Sequence, residues 1–135
     1  MTITPHADLL DTALAVRKFA YAPYSKFQVG AAVLGADGRV YAGCNVENAA
    51  YPEGACAEAN AIAAMVAGGC TEIAQIAIVK KGGGKVAPCG GCRQKINEFA
   101  DADVPIFVQG KDGGVQSYSL GELLPIAFGK SNLGK

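Results

Sequence analysis

Residues 73–108 read IAQIAIVKKGGGKVAPCGGCRQKINEFADADVPIFV, and this stretch decides the fold class. Ile73–Val79 and Val104–Val108 are apolar and rich in β-branched residues, which is typical of buried strands. Between them, Gly82–Gly84 predicts a mobile loop, and the stretch from about Gly90 to Ala100 predicts a helix. A strand, a helix and a strand in this order indicate an α/β layered domain.

The segments on either side extend the same plan. Apolar residues at helical spacing predict a first helix, two β-branched runs around a turn predict a hairpin, and alanine-rich sequence predicts a buried helix. Two strands separated only by a turn should pair antiparallel. The predicted elements are a helix over Ala7–Ala20, a hairpin of Phe27–Leu34 and Val40–Val46, a helix over Cys56–Ala67, a turn at Lys111–Gly114, a strand around Val115–Tyr118 and a short C-terminal helix. We therefore expect one domain over residues 1–135 with a mixed sheet.

The composition bounds the class of protein. Half of the 135 residues are hydrophobic and 18% are charged, which supplies enough apolar side chains for one packed core. Twelve basic and twelve acidic residues balance, so the charge pattern favours no nucleic-acid partner. The N-terminal MTITPHADLL lacks a signal-peptide pattern, and no apolar run approaches the roughly 20 residues of a membrane helix. We expect a cytoplasmic protein with no membrane partner.

The chain has five cysteines, and an odd number cannot all pair within one chain. Without a signal peptide, we expect reduced thiols that are available for a metal or for chemistry. Cys56 lies at the start of one predicted helix, and Cys89 and Cys92 lie at the start of another. A helix N-terminus offers unpaired N–H groups and a partial positive charge, which favour thiolate over thiol. The three cysteines therefore predict a zinc site.

Other interpretations of the cysteines stay open. The C-x-x-C spacing at 89–92 is common in zinc sites but also occurs in redox dithiols, which would leave Cys56 unexplained. A structural zinc site would need a fourth ligand, for which Cys44 and Cys70 are candidates, although free cysteines are more often small buried hydrophobes. His6 is the only histidine, and it lies near the N-terminus where a solvated side chain is expected.

Glu58 favours a catalytic site over a structural one. Residues two apart on a helix do not share a face, so Cys56 and Glu58 would not readily chelate one ion together. The carboxylate would instead stand beside a water in an open coordination position. Taken alone, Glu58 would be an acid favoured by the helix dipole, but beside three cysteines a proton-transfer role is the better interpretation.

These residues resemble the zinc nucleoside-deaminase family, whose pattern is a zinc ligand, one residue, a Glu and later Pro-Cys-x-x-Cys. The pattern here is Cys56-Ala57-Glu58 followed by Pro88-Cys89-Gly90-Gly91-Cys92. The resemblance to the small homotetrameric cytidine deaminases runs in order over about residues 9–133. The further stretches that carry it are YSKFQVGAA at 24–32, NVENA at 45–49, YP at 51–52, CRQ at 92–94 and ELLPIAFG at 122–129.

The resemblance implies a three-layer α/β/α fold with a mixed five-stranded sheet. It also implies one Zn²⁺ per subunit on Cys56, Cys89 and Cys92, and hydrolysis of cytidine or 2′-deoxycytidine to the uridine counterpart and ammonia. In that reaction zinc activates a water that attacks C4 of the base, and Glu58 moves the protons. A related deaminase of another cytosine compound, such as a blasticidin S deaminase, shares the zinc motifs and is the alternative.

Substrate contacts are implied by the same resemblance. Asn45 and Glu47 would bind the ribose hydroxyl, Phe27 would pack against the base, and the N–H of Ala57 would bind the base carbonyl. An anionic Glu47 beside the 3′ oxygen would accept the hydrogen bond of that hydroxyl group but repel a phosphate there, which favours a free nucleoside. Outside the family pattern, Phe27 would be a core aromatic, and Asn45 and Glu47 would be ordinary loop residues.

Three more positions match residues that complete a neighbouring subunit's site in the family. They are Ala49, Tyr51 and Phe128, and their presence implies a homotetramer with shared active sites.

One position departs from the family pattern. Members often have Arg directly after the catalytic Glu, where it offsets the charge of three thiolates, but here that residue is Ala59. Zinc with three thiolates carries a net negative charge, so its water is less acidic than water on a tris-histidine site. Arg93, directly after Cys92, is the best remaining cation to offset the thiolate charge. We expect Arg93 and Gln94 to lie next to the ligands and support them without binding the metal.

Overall fold

The computed structural model describes residues 4–80, 82, 86–109 and 114–135. Most of the predicted glycine loop and of the turn at 111–114 lies outside these residues. The helices are α1 (Leu9–Arg17), α2 (Ala57–Ala67), α3 (Gly90–Phe99) and α4 (Leu120–Leu123), with two short 3-10 helices at Tyr51–Glu53 and Lys130–Leu133. The strands are β1 (Val29–Gly35), β2 (Val40–Cys44), β3 (Ile73–Lys80), β4 (Pro105–Gln109) and β5 (Val115–Ser119).

The five strands form one mixed sheet in the order β2-β1-β3-β4-β5. The β3–β4 pair is parallel, with Ile76 opposite Ile106, and α3 lies between these strands in the chain. The other three pairs are antiparallel, including the predicted hairpin and the predicted β4–β5 pair. The mixed five-stranded sheet is thus confirmed.

The helices cover both faces of the sheet. One core cluster contains Ala31 and Val33 of β1 together with residues of α2 and α3, whereas Ala32 belongs to a second cluster with Leu9 and Ala13 of α1. This alternation follows from the two-residue side-chain period of a strand. The layers are therefore α1, the sheet, and α2 with α3, as predicted.

Two helices pack tightly against glycines of the sheet. A Cβ on Gly30 would lie 2.1 Å from the carbonyl oxygen of Ala13 in α1. A Cβ on Gly43 would lie 2.3 Å from the nitrogen of Ala61 in α2. The absence of a side chain at these positions lets both helices pack backbone against backbone, which fixes their distance from the sheet.

The predicted boundaries differ from the structure at the first helix and at both strands of the hairpin, whose second strand ends at Cys44 rather than Val46. The helix ends at Arg17, and Phe19 is 80% exposed, so the apolar pattern extends past the helix. The first strand begins at Val29, two residues after Phe27, because the chain before it is irregular and Lys26 has a φ of 62°, in the left-handed region. The two 3-10 helices were not predicted.

Over the residues that the structure describes, no helix has the length and apolar character required to span a membrane.

Candidate metal centre and surrounding site

Two helix starts bring three cysteines together. Cys56 is the N-cap of α2 and Cys89 is the N-cap of α3, both with extended backbone, and Cys92 lies in the first turn of α3. The Sγ atoms of the three residues all lie within 4.8 Å of one another. Cys44 and Cys70, the candidate fourth ligands, do not belong to this group.

The donor set fits a zinc ion. Tetrahedral zinc with Zn–S bonds of about 2.3 Å places its sulfur ligands about 3.8 Å apart, within the spacing found here. Burial raises the pKa of Cys92, with a further contribution from the charge of Glu58, and burial also raises the pKa of Cys56. Collecting three thiolates here without a counter-ion is therefore unfavourable, and a dication supplies the missing charge.

Cys89 has the opposite tendency. Its pKa is lowered, first by the N–H of Cys92, which donates to its sulfur. This donor is one of the free N–H groups at the start of α3, so the helix end itself stabilises the thiolate. The start of α3 thus favours the Cys89 thiolate, as predicted from helix termini, while Cys92 is buried and its thiolate depends more on a metal.

Among the residues that the structure describes, Glu58 is the one charged side chain in the core, with 5% of its surface exposed. Burial raises the pKa of its carboxyl group. Its own backbone N–H, the Cys92 thiol and the charge of Lys95 act in the opposite direction and lower this pKa. The carboxyl group therefore lies against the metal ligands in a site that favours its protonated form. A buried carboxyl group beside thiols is a common arrangement for proton transfer.

Arg93 contacts the main chain on both sides of the site. Its Nε donates to the Pro88 carbonyl oxygen at 2.8 Å, and its Nη1 donates to the Leu123 carbonyl oxygen at 2.8 Å. Its own N–H donates to the Cys89 carbonyl oxygen at 2.9 Å. Arg93 thus ties the loop before Cys89 to the end of α4.

Two of the predicted site residues lie, with four others, around an open cavity of about 370 Å³. Glu47 and Tyr51 line it, and the rings of Tyr51 and Tyr24 meet edge to face at 6.3 Å. The full lining is Tyr24, Ser25, Glu47, Asn48, Tyr51 and Gly54. The cavity is rimmed by aromatic rings and carries one carboxylate, which suits a partly apolar ligand with hydroxyl groups.

Asn45 and Phe27 lie at the beginning of β1. Asn45 Oδ1 accepts the Val29 N–H at 2.8 Å, and its Nδ2 donates to the Phe27 carbonyl oxygen at 2.9 Å. An amide has two acceptor positions and two donor hydrogens, so one of each is left for a ligand. The Phe27 ring is 45% exposed, and the Lys80 ammonium group lies 5.5 Å from its centroid.

Ala57 is the first residue of α2, so its N–H has no acceptor within the helix. The residue is 1% exposed and lies between Cys56 and Glu58. Its N–H is thus a donor next to the metal ligands.

Phe128 and Ala49 do not line the cavity. Phe128 is 60% exposed, and its carbonyl oxygen accepts from Gln94 Nε2 at 2.8 Å and from Asn97 Nδ2 at 3.2 Å. Ala49 is exposed next to the 3-10 helix that carries Tyr51. Both residues are therefore exposed and lie outside the cavity lining.

Several residues of the site were not predicted from the sequence. Ser25 binds Glu47, Lys95 acts on Glu58, and Asn97 binds Phe128. The role of Ser25 could have been predicted, because serines in loops often accept the backbone N–H of the residue two positions later. Ser25 accepts the N–H of Phe27 in this way. Lys95 and Asn97 carried no local signal beyond their place on the predicted helix.

Three thiol ligands next to a buried carboxyl group, at the starts of two helices of an α/β/α domain, define a hydrolytic zinc centre. The comparisons with known proteins agree. The family model described as the cytidine and deoxycytidylate deaminase zinc-binding region matches residues 3–108. The chain belongs to this family.

Individual relatives extend the match over most of the chain. A cytidine deaminase of Sporosarcina psychrophila is 44% identical over 117 residues, which cover 87% of this chain and 86% of the relative. One from Mycobacterium tuberculosis is 43% identical over 114 residues, covering 84% and 82%. The crystal structure of cytidine deaminase from Burkholderia pseudomallei is similar with a TM-score of 0.85 and 43% identity, covering 93% of this chain and all of that one.

Proposed function

We propose that the protein is an enzyme that hydrolyses cytidine and 2′-deoxycytidine to uridine and 2′-deoxyuridine with release of ammonia. The observation that carries the proposal is the convergence of three Sγ atoms within 4.8 Å next to the buried Glu58. The similar proteins named above are cytidine deaminases, and they are aligned over most of this chain. Both products fit a role in pyrimidine salvage.

Cys56, Cys89 and Cys92 would hold one zinc ion per subunit. When bound, zinc supplies a Lewis acid that makes water acidic enough to lose a proton near neutral pH. Glu58 would accept that proton and deliver it to ring N3 of the base. The C4–O bond would form first and leave C4 tetrahedral, with the amino group still attached. The C4–N bond would then break as Glu58 passes the second proton of the water to the departing amino group. Burial of Glu58 supports this role, because it favours the protonated carboxyl group that must donate.

The nucleoside would be oriented by residues just before β1, just after β2 and at the start of α2. The N–H of Ala57 would donate to the base carbonyl, and Phe27 would cover one face of the base. Asn45 and Glu47 would bind the ribose hydroxyl groups with their remaining hydrogen-bonding positions. Glu47 also disfavours a phosphate at that end, so the substrate would be a nucleoside rather than a nucleotide or a nucleic acid.

The active form would be a homotetramer in the cytoplasm. Its support is the exposure of Tyr51 at 79% and Phe128 at 60%, which leaves large rings unburied in a single subunit. Ala49, Tyr51 and Phe128 would complete the site of a neighbouring subunit, with Gln94 and Asn97 holding the Phe128 backbone.

Incubation of zinc-loaded protein with cytidine tests the function. We expect the ultraviolet spectrum to change from that of cytidine to that of uridine, with one ammonia released per nucleoside. Protein stripped of zinc by a chelator serves as the control and should be inactive until zinc is returned. Protein that carries zinc and converts neither cytidine nor 2′-deoxycytidine would refute the proposal.

Mixing of subunits tests the shared sites. A Phe128→Ala chain and a Glu58→Gln chain should each be weak as homomers. Refolded together, they should regain activity, because an intact Glu58 in one chain meets an intact Phe128 from the other. Activity of the mixture no higher than the average of the two homomers would contradict shared sites.

A further inference from the structure

The Glu47 carboxylate accepts three hydrogen bonds from two neighbouring residues. Oε1 accepts the N–H groups of Tyr24 at 3.0 Å and Ser25 at 3.1 Å, and Oε2 accepts the Ser25 hydroxyl group. A carboxylate has about four acceptor positions, so these bonds leave about one for another donor. The Ser25 hydroxyl group is also the first cause of the lowered pKa of Glu47, ahead of both N–H groups.

The same hydroxyl group also binds the backbone two residues further along the chain. Ser25 Oγ accepts the N–H of Phe27 at 3.0 Å, across Lys26, whose φ of 62° is left-handed. On the far side of Phe27, its carbonyl oxygen accepts from Asn45 at 2.9 Å. The peptide groups on both sides of the Phe27 Cα are thus fixed, one by Ser25 and the other by Asn45.

Ser25 therefore links the sugar end and the base end of the candidate site. Its hydroxyl hydrogen points to Glu47 and its oxygen lone pair holds Phe27, while Ser25 and Glu47 both line the open cavity. An alanine here would remove both bonds and leave Glu47 with backbone donors on Oε1 alone. Oε2 would then be free to rotate away from the cavity or to take up water.

We propose that Ser25 is a positioning residue for nucleoside binding, which orients Glu47 toward the 3′ hydroxyl group of the sugar and holds the turn that presents Phe27. The inference rests on the proposed deaminase function. Ser25 does not itself contact the reacting atoms, so its effect belongs in substrate affinity rather than in the chemical step. A serine that only stabilised the loop would not distinguish substrates with and without the 3′ hydroxyl group.

Two nucleosides that differ only at the 3′ position provide the test, namely 2′-deoxycytidine and 2′,3′-dideoxycytidine. For Ser25→Ala we expect KM for 2′-deoxycytidine to rise about tenfold, as for a lost hydrogen bond to a charged group, with kcat within about twofold of the parent. KM for the dideoxy compound should rise much less, because the hydroxyl contact is already absent. Ser25→Thr keeps the hydroxyl group and should restore most of the affinity.

Ser117→Ala is the matched control, since Ser117 is exposed on β5, and it should leave both KM values unchanged. Zinc content should equal that of the parent in every variant. The inference is overturned by an unchanged KM in Ser25→Ala, by equal increases for the two nucleosides, or by failure of Ser25→Thr to recover affinity. If the parent protein converts neither cytidine nor 2′-deoxycytidine, the proposed function fails instead, and this inference fails with it.

Discussion

Gly43 on β2 lies against the backbone of Ala61 on α2, so closely that a Cβ on Gly43 would be 2.3 Å from the Ala61 nitrogen. The same atom would lie 2.6 Å from the Ala57 carbonyl oxygen, in the first turn of the helix. Both neighbours are backbone atoms, which cannot move aside as a flexible side chain can. The contact therefore sets where α2 begins above the sheet, and with it the positions of Cys56 and Glu58.

Gly43→Ala should displace α2 and damage the metal centre. We expect a loss of about 1–3 kcal/mol in the free energy of unfolding, as in overpacked cores, together with weaker zinc retention. Gly114→Ala is the control, because a Cβ on Gly114 meets no atom within 4 Å. Chemical denaturation and zinc analysis measure both effects. A Gly43→Ala protein with parental stability and zinc content would show that the helix position does not depend on this contact.

Arg93→Ala should weaken zinc binding and deamination. The guanidinium group joins the Pro88 carbonyl oxygen, just before Cys89, to the Leu123 carbonyl oxygen, and it is the cation nearest in sequence to the ligands. Residues that support metal ligands typically change affinity by about 10–100-fold when removed. Competition with a chromogenic chelator measures the change.

Arg93→Lys separates charge from geometry. Lysine keeps the charge but cannot reproduce two donors in the fixed fork of a guanidinium group, so we expect only partial recovery. Unchanged zinc affinity and unchanged turnover in Arg93→Ala would contradict the role given to Arg93.

Replacing both Gln94 and Asn97 by alanine should raise KM without loss of zinc. Their amides are the two donors to the Phe128 carbonyl oxygen, and each such bond contributes about 1 kcal/mol. If Phe128 completes a neighbouring site, KM for cytidine should rise about tenfold or more in the double variant. Glu98→Gln on the same helix is the control, because its ion pair with Lys130 is exposed and contributes little. An unchanged KM in the double variant would argue against this role of the Phe128 segment.

The hairpin carries a pH-dependent contribution to stability at Asp37. The Tyr41 hydroxyl group donates to this carboxylate at 2.6 Å and, with the Arg39 N–H groups, lowers the pKa of Asp37 from 3.8 to about 2. Because the pKa is lower in the folded state, the ionised carboxylate stabilises the fold above about pH 4, and this contribution is lost as the pH falls toward about 2.

Asp37→Asn should therefore lower the melting temperature at neutral pH. The difference from the parent should shrink over that acid range, and thermal melts of both proteins measure it. Tyr41→Phe removes the main cause of the shift and should show a weaker pH dependence than the parent. A difference between the parent and Asp37→Asn that stays constant from about pH 5 to about pH 2 would contradict the assignment.

The metal cluster and the sheet could be predicted because each depends on local patterns. Cys56 and Cys89 precede helical sequence and become N-caps, and the strands follow from runs of apolar β-branched residues. The order of elements then restricts the topology, since the parallel β3–β4 pair needs the α3 crossover. The family resemblance supplied the layers and the number of strands.

The contacts that tune the site could not be predicted, because they join residues far apart in the chain. Arg93 was expected to compensate the thiolates, but the structure places its guanidinium group on backbone carbonyl oxygens, and Lys95 is the cation that acts on Glu58. The Ser25–Glu47 pair spans 22 residues, and the left-handed Lys26 that brings Ser25 and Phe27 together has no glycine to mark it. Such contacts depend on tertiary packing rather than on local pattern.

The central claim is that Cys56, Cys89 and Cys92 hold a zinc ion at which Glu58 moves protons. Its most direct test is Glu58→Gln, assayed for bound zinc and for cytidine turnover in the same preparation, with Glu72→Gln as the exposed control. We expect one zinc per chain in both variants, parental turnover in Glu72→Gln, and a loss of about 10²–10⁴-fold in kcat in Glu58→Gln. Parental turnover in a Glu58→Gln protein that carries its zinc would contradict the claim.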